Sequence, residues 1–190
     1  MNILTTTAAK IVLDAGCGPA ESRIHPNFEG PEWARLRVDA DPSVEPDLIA
    51  QVWNLQGVAD ASIDAVWCKS VIDHLTWDQA AKMLREFHRV LVPGGACLIV
   101  CLDFEKLCRA VLEEGLDSTR YESPIGPVSA FDQIFGFKPH VAAGNPWILK
   151  RSGWTRPMLA KALTEAGFQS GEVKANDDFM SEAMMAVAIK

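Results

Sequence analysis

The sequence predicts an α/β protein: an open, mostly parallel sheet flanked by helices and ending in an antiparallel hairpin. Three observations carry this. Apolar runs in the first half are continuous rather than alternating, as in strands covered on both faces. Segments of helical periodicity separate some of these runs. The chain then closes on "FQSGEV" and "MMAVAIK", two short strands with "ANDD" (Ala175, Asn176, Asp177, Asp178) between them.

Residues 10–13 read as a first buried strand and "RLRVDAD" (35–41) as a second. "DLIAQVW" (47–53) gives a third and "IDAVWC" (63–68) a fourth. The clearest is "ACLIVCL" (96–102), a fifth strand after a predicted turn at Pro93, Gly94 and Gly95. Between the fourth and fifth, Thr76 is a good N-cap, Gln79 completes a capping box and Asp78 sits in the positive first turn. Ala80, Met83, Leu84, Phe87, Val90 and Leu91 follow on one helical face. A second helix is predicted over 103–115 with Leu107, Ala110 and Val111 inward. A third starts near Thr155, presents Leu159, Ala162, Leu163 and Ala166, and ends at Gly167. The crossover between the first two strands is irregular, because Pro26, Gly30 and Pro31 break it. At most a turn or two of helix is expected near residues 20–24.

Residues 116–154 contain eight Pro and Gly together with Phe131, Phe135, Phe137, Trp147 and Trp154. Aromatic richness argues for order. The segment is read as an ordered insertion over the functional edge of the sheet, with Ser129 and Asp132 capping a short helix through Phe135.

At 190 residues the chain fits one domain, 1–190, able to bury a full core. Its net charge of −7 and pI of about 5.1 disfavour nucleic acid as a partner and favour a small-molecule substrate. The basic stretch "LKRSGWTR" (Lys150, Arg151, Arg156) is expected to be a solvated loop. No apolar run approaches the roughly 18 residues of a membrane span, and the start shows no secretory signal. The five cysteines form no C-x-x-C pair, so reduced thiols, no metal site and a cytoplasmic location are expected. Oligomeric state leaves no mark in the sequence.

The chemistry is expected in "IVLDAGCGPAE" (11–21), where a buried strand ends on Asp14 and side chains are given up at Gly16 and Gly18. Open α/β sheets bind ligands at the carboxyl ends of their strands. Glycine there admits positive φ and close approach of a ligand. Asp14 can hold loop amides or a ligand ammonium group, or it simply caps the turn. A dinucleotide fingerprint would need a small residue at position 21, where Glu21 stands, and a pyrophosphate-binding helix that Pro26 curtails. NAD(P) and flavin are disfavoured.

"LDAGCG" resembles the D-x-G-x-G element of class I S-adenosylmethionine-dependent methyltransferases, which have a Rossmann-like sheet. "RVDADP", "IDAVWCKSVIDHL", "FHRVLVPGGACLIV" and "GWTRPMLAKALTEAGF" resemble later segments of that family in the same order. The resemblance implies S-adenosylmethionine as cofactor and methyl transfer to an unidentified, small acceptor. A non-catalytic S-adenosylmethionine-binding module of the same fold is the alternative. By the resemblance, Asp14, Ala15, Gly16, Cys17 and Gly18 line the methionine end and Asp39 with Ala40 the ribose. Gln51 and Val52 stand where the family often has an acid facing adenine; Cys68 and Ser70 pass near the methyl group. "DADP" also suits a plain turn around Asp39. No catalytic residue is defined; His74 is a candidate general base, although a histidine bonded to local backbone is the commoner outcome. Tyr121, His140, Asn145 and Lys150 are the insertion's candidate polar groups for the acceptor. Trp33, Trp53 and Trp67 are expected in the core, as is the Met83/Phe87 stripe.

Overall fold

The computed structural model describes residues 9–176 and 182–190. Its main sheet has seven strands in the order β3-β2-β1-β4-β5-β9-β8. These are β1 (Lys10–Ala15), β2 (Trp33–Asp39), β3 (Leu48–Ile49), β4 (Ile63–Lys69), β5 (Leu91–Leu102), β8 (Ser170–Ala175) and β9 (Ala183–Ile189). The first five run parallel, while β9 lies antiparallel between β5 and β8. A separate antiparallel pair, β6 (Thr119–Ser123) and β7 (Gly126–Ser129), lies in the insertion. The fold class is that predicted; Asp177 and Asp178 of the expected hairpin turn lie outside the described residues.

The helices form where the caps place them. α1 (Trp77–Val90) carries the full Thr76/Gln79 capping box and buries Ala80, Met83, Leu84, Phe87 and Val90. α2 (Phe104–Glu114) is capped by Asp103 and buries Leu107 and Ala110. α3 (Ala130–Phe135) has the predicted Ser129/Asp132 box, and a short α4 (Lys138–Ala142) follows. α5 (Arg156–Glu165) is capped by Thr155, and Gly167 after it takes φ +105°.

α1 and α5 cover one face of the sheet. Their side chains pack on Leu13, Leu36, Val66, Cys97, Ile99, Met184 and Ala186. The other face is finished differently. No α-helix forms between β1 and β2, only a 3-10 turn at Pro26–Phe28, within the expectation of at most a turn or two of helix at 20–24. Phe28, Ile24 and Trp33 pack there against Val12, Trp67 and Leu98 instead. Prolines at 26 and 31 remove the donors a crossover helix would need.

Two strands differ from expectation. β3 is only two residues long, flanked by Asp47 Oδ2, which accepts from the Arg37 N–H (2.8 Å), and by Ala50, whose N–H donates to the Asp39 carbonyl (2.9 Å). The predicted Pro93–Gly95 turn lies inside β5: Ile63 pairs Leu91, and then Ala65 pairs Ala96. The extra residues bulge out, with Gly94 at φ +80°.

Candidate functional site

The strand order reverses between β1 and β4, with β2 and β3 on one side and β5 and β9 on the other. The crevice outside these two carboxyl ends is where such sheets hold ligands. β1 continues into it: Gly16 and Cys17 both donate to the Val38 carbonyl (2.8 and 3.1 Å) before the chain turns away. Gly16 and Gly18 sit at φ +68° and +60°. A Cβ on Gly16 would stand 2.3 Å from Val71 Cγ2, and one on Gly18 would stand 3.2 Å from Ser22 Oγ. The left-handed backbone, one of the two reasons the sequence suggested for glycine at 16, is present, and the contact with Val71 is a further reason that the sequence did not show.

The loop is held from β2. Gly18 N–H donates to Asp39 Oδ2 (2.9 Å) and Asp41 N–H to Asp39 Oδ1 (3.0 Å). Asp39 therefore makes the local turn and ties the glycine loop at once, and each oxygen keeps acceptor capacity. Arg37 adds Nη2 bonds to the carbonyls of Gly18 (2.8 Å) and Val44 (2.9 Å). Asp14 behaves otherwise than expected: its bonds go to Arg35, whose Nε lies 2.7 Å from Oδ2, and not to loop amides. Parallel pairing of Val12 with Arg35 and of Asp14 with Arg37 puts these three charged groups on the sheet face that lacks a crossover helix. Burial pushes the Asp14 carboxyl up from its ordinary value despite the guanidinium against it.

Two cavities open on this loop. One, of about 190 Å³, is lined by Asp39, Ala40, Gln51, Val52, Trp53 and Leu75, among others. The other, of about 210 Å³, is lined by Asp14, Cys17, Gly18, Ser22, Arg23 and Lys69. Gly16 and Ser70 line both. Ser70 sits at φ +55°, its N–H on the Val100 carbonyl (2.8 Å), a left-handed non-glycine residue at the meeting point. Among the residues the sequence singled out, Ala15 and Cys68 line neither cavity; both are fully buried in the core. Burial raises the Cys68 thiol well above its ordinary value and that of Cys17 to about 11. Trp53, expected in the core, is only partly buried and lines the first cavity.

A third cavity, of about 170 Å³, lies between the end of β4 and the insertion, and shares Ser70 and His74 with the first. Lys150 crosses it to pair with Asp73, and its Nζ lies 2.9 Å from His74 Nε2. Asp73, 4% exposed, carries the rest of the connection: its carbonyl accepts from Arg151 N–H (2.9 Å) and Ser152 N–H (3.2 Å). Burial raises the Asp73 carboxyl, but the ammonium of Lys150 and the neighbouring donors outweigh it and hold it below its ordinary value. His74 is lowered, first by burial and then by the charge of Lys150. An ammonium can only donate, so Nε2 is the accepting nitrogen and Nδ1–H donates to the Leu149 carbonyl (3.1 Å). The lone pair a general base would use is thus occupied by Lys150.

This corrects the expectation of a solvated basic loop. Lys150 answers buried Asp73, and Arg156 Nε lies 2.8 Å from Asp103 Oδ2, another buried carboxylate. Of the insertion's candidates, Tyr121 and Lys150 line the third cavity. His140 instead packs on Phe137 and Asn145 caps the turn at Pro146–Ile148. Sequence reading missed Arg35, Asp73 and Gln133. For Arg35 a signal existed: in "RLRVD" alternate charges fall on one face of a buried strand and so demand an acid on the neighbouring strand. Gln133, on one turn of α3, left none.

A sheet of this order, with an acid-bearing glycine turn at its switch point, defines the class I S-adenosylmethionine-dependent methyltransferase fold. Residues 13–99, a little under half of the chain, match the family described as "Methyltransferase domain". A malonyl-(acyl-carrier protein) O-methyltransferase from Dechloromonas aromatica is 29% identical over 97 residues, 48% of this chain and 36% of that protein. The aligned part thus spans little more than a third of the curated relative. Among solved structures, a SAM dependent methyltransferase from Archaeoglobus fulgidus superposes with TM-score 0.59 at 12% identity, over 96% of this chain and 86% of that one. A 1,6-didemethyltoxoflavin-N1-methyltransferase from Burkholderia thailandensis, with S-adenosylhomocysteine bound, gives 0.56 at 17%, over 96% and 72%. At these identities the two structures speak for the fold alone.

Proposed function

We propose that the protein is an S-adenosylmethionine-dependent methyltransferase acting on a small-molecule acceptor. The observation that carries this is the meeting of three cavities at Ser70, two of them flanking the glycine loop. The chemistry of each suits one part of the reaction. The first is a mainly apolar slot with the Asp39 carboxylate and the Gln51 amide at its wall, which suits a planar base and a ribose diol. The second offers an acid, Asp14, and a guanidinium, Arg23, which suits the two charges of an amino-acid head.

When bound, S-adenosylmethionine supplies an activated methyl group on a sulfonium. The chain's work is alignment. Gly16 and Ser70, shared by the two flanking cavities, would bracket the sulfonium region, with Asp39 fixing the ribose and Asp14 the ammonium. Alignment and exclusion of water can contribute roughly 7–11 kcal/mol to such a displacement. The reaction therefore does not require His74 as a base. A reducing cytoplasm belongs to the same reading, on the cysteine usage of the sequence. Among the described residues no helix is long and apolar enough to cross a membrane.

Calorimetry and thermal shift with S-adenosylmethionine test the proposal, because a ligand selective for the folded state raises the melting temperature. Binding by the native protein is expected, with loss in Asp39→Ala and in Gly16→Val. The Val71 contact makes Gly16→Val a folding risk, so its far-UV circular dichroism is read alongside. Undiminished affinity in both variants refutes the site. Tight binding without time-dependent S-adenosylhomocysteine formation in cell extract would favour a non-catalytic binding module.

A further inference from the structure

The third cavity has a chemistry of its own. Its carboxylates each have an ammonium beside them: Lys150 pairs with Asp73, whose Oδ1 nevertheless has no hydrogen-bond partner among the described residues, and Lys138 Nζ stands 3.9 Å from Asp132 Oδ1. Asp132 accepts from the Ser129 N–H (2.9 Å) and hydroxyl (2.6 Å) and from the Lys138 N–H (3.0 Å). His74, lowered by burial and by Lys150, adds no charge. With one ammonium beside each carboxylate, an ion of either sign entering here finds no unmatched counter-charge. Besides Asp73 Oδ1, one side chain on its wall is wholly without a partner. Gln133 is 6% exposed, and among the described residues neither its Oε1 nor its Nε2 has a hydrogen-bond partner. Buried polar atoms are nearly always paired, and a carboxamide needs a donor and an acceptor side by side. The rings of Tyr121 and Phe137 line the same space.

We propose that this cavity holds the methyl acceptor and that Gln133 selects it, taking an uncharged planar group with a hydrogen-bond donor beside an acceptor. Lactams, primary amides and 2-hydroxy nitrogen heterocycles have that edge. The inference rests on the methyltransferase reading, since the cavity borders the proposed cofactor region at Ser70 and His74. It assigns to Gln133 a specificity-determining role, through the unpaired amide and the absence of free charge around it.

The test uses three probes, 2-pyridone (neutral, donor beside acceptor), benzoate (anion) and benzylamine (cation). Each is titrated into 15N-labelled protein with and without S-adenosylhomocysteine. The Gln133 side-chain NH2 resonances are assigned by their disappearance in Gln133→Leu. The expected result is saturable shifts of those resonances and of the Ser70 amide with 2-pyridone, and at least tenfold weaker binding in Gln133→Leu. Binding of benzoate or benzylamine as tight as that of 2-pyridone overturns the proposal, as does equal 2-pyridone affinity in the variant.

A melting measurement guards against a purely structural role. A cavity of about 10 Å³ lined by Asp73, Gln133, Ser152 and Trp154 is near the size of one water, which could pair the amide internally. Removing an unpaired amide raises the melting temperature of the ligand-free variant, whereas removing one satisfied by water lowers it and overturns the proposal. S-adenosylhomocysteine titrated into the same samples separates the two ideas. Its failure to bind counts against the methyltransferase reading, while the 2-pyridone arm without it still decides the chemistry of the cavity.

Discussion

Lys150→Met is the most informative perturbation of the molecule. Lys150 is 17% exposed at its side chain and Asp73 5%. Removing the ammonium leaves a carboxylate buried with one oxygen, Oδ1, already without a partner among the described residues. Breaking a buried pair from one side costs about 3–5 kcal/mol. For a chain of this length each kcal/mol moves the melting temperature by about 2–4 °C, so a fall of about 6–20 °C is expected. The sign of the pH dependence should also change. In the native protein the Asp73 carboxyl is held below its ordinary value of 3.8, so its contribution is fully present above that value and is lost as pH falls through the lowered one. Without Lys150, burial is opposed only by His74 and the backbone donor, and the folded value is expected to rise above the unfolded one. The penalty is then largest at neutral pH and shrinks on acidification. Asp73→Asn combined with Lys150→Met buries no charge and should recover most of the loss. Urea unfolding at pH 7 and pH 5 measures the native protein and both variants. A single-variant loss below about 1 kcal/mol, or a pH slope equal to that of the native protein, refutes this account of how the insertion is anchored.

Two further outcomes follow from the same geometry. His74 has a lowered folded value, so its neutral form stabilises the protein fully above pH 6.5, and that contribution is lost as pH falls through the lowered value. His74→Gln should flatten the stability profile between pH 7.5 and 5, with a residual slope from His25 and His88, which burial also lowers; an unchanged urea-midpoint profile counts against this. Thr76→Ala removes the hydroxyl that accepts from the Gln79 amide at the start of α1 and should cost about 1 kcal/mol by urea unfolding, without altering S-adenosylmethionine affinity.

Much of this protein is legible along the chain because its signals are short-ranged. The Thr76/Gln79 and Ser129/Asp132 boxes each join residues three apart and end in the helices they predict. The apolar run of β5 and the prolines that abolish the first crossover helix are equally local. The charged pairs are not. Asp14 meets Arg35 across 21 residues and Asp73 meets Lys150 across 77, and each contact depends on which strands and loops become neighbours.

The sequence by itself determined most strands of the main sheet, the longer helices, the glycine turn and an aromatic insertion, but not the β6–β7 pair or α4 within it. Tertiary structure alone decided that Gly16 is needed for Val71, that Asp14 and Asp73 are answered by cations, and that three cavities share Ser70. Helix caps and apolar periods act within a few residues, whereas burial of a charge is settled only when the whole chain has chosen what to place beside it.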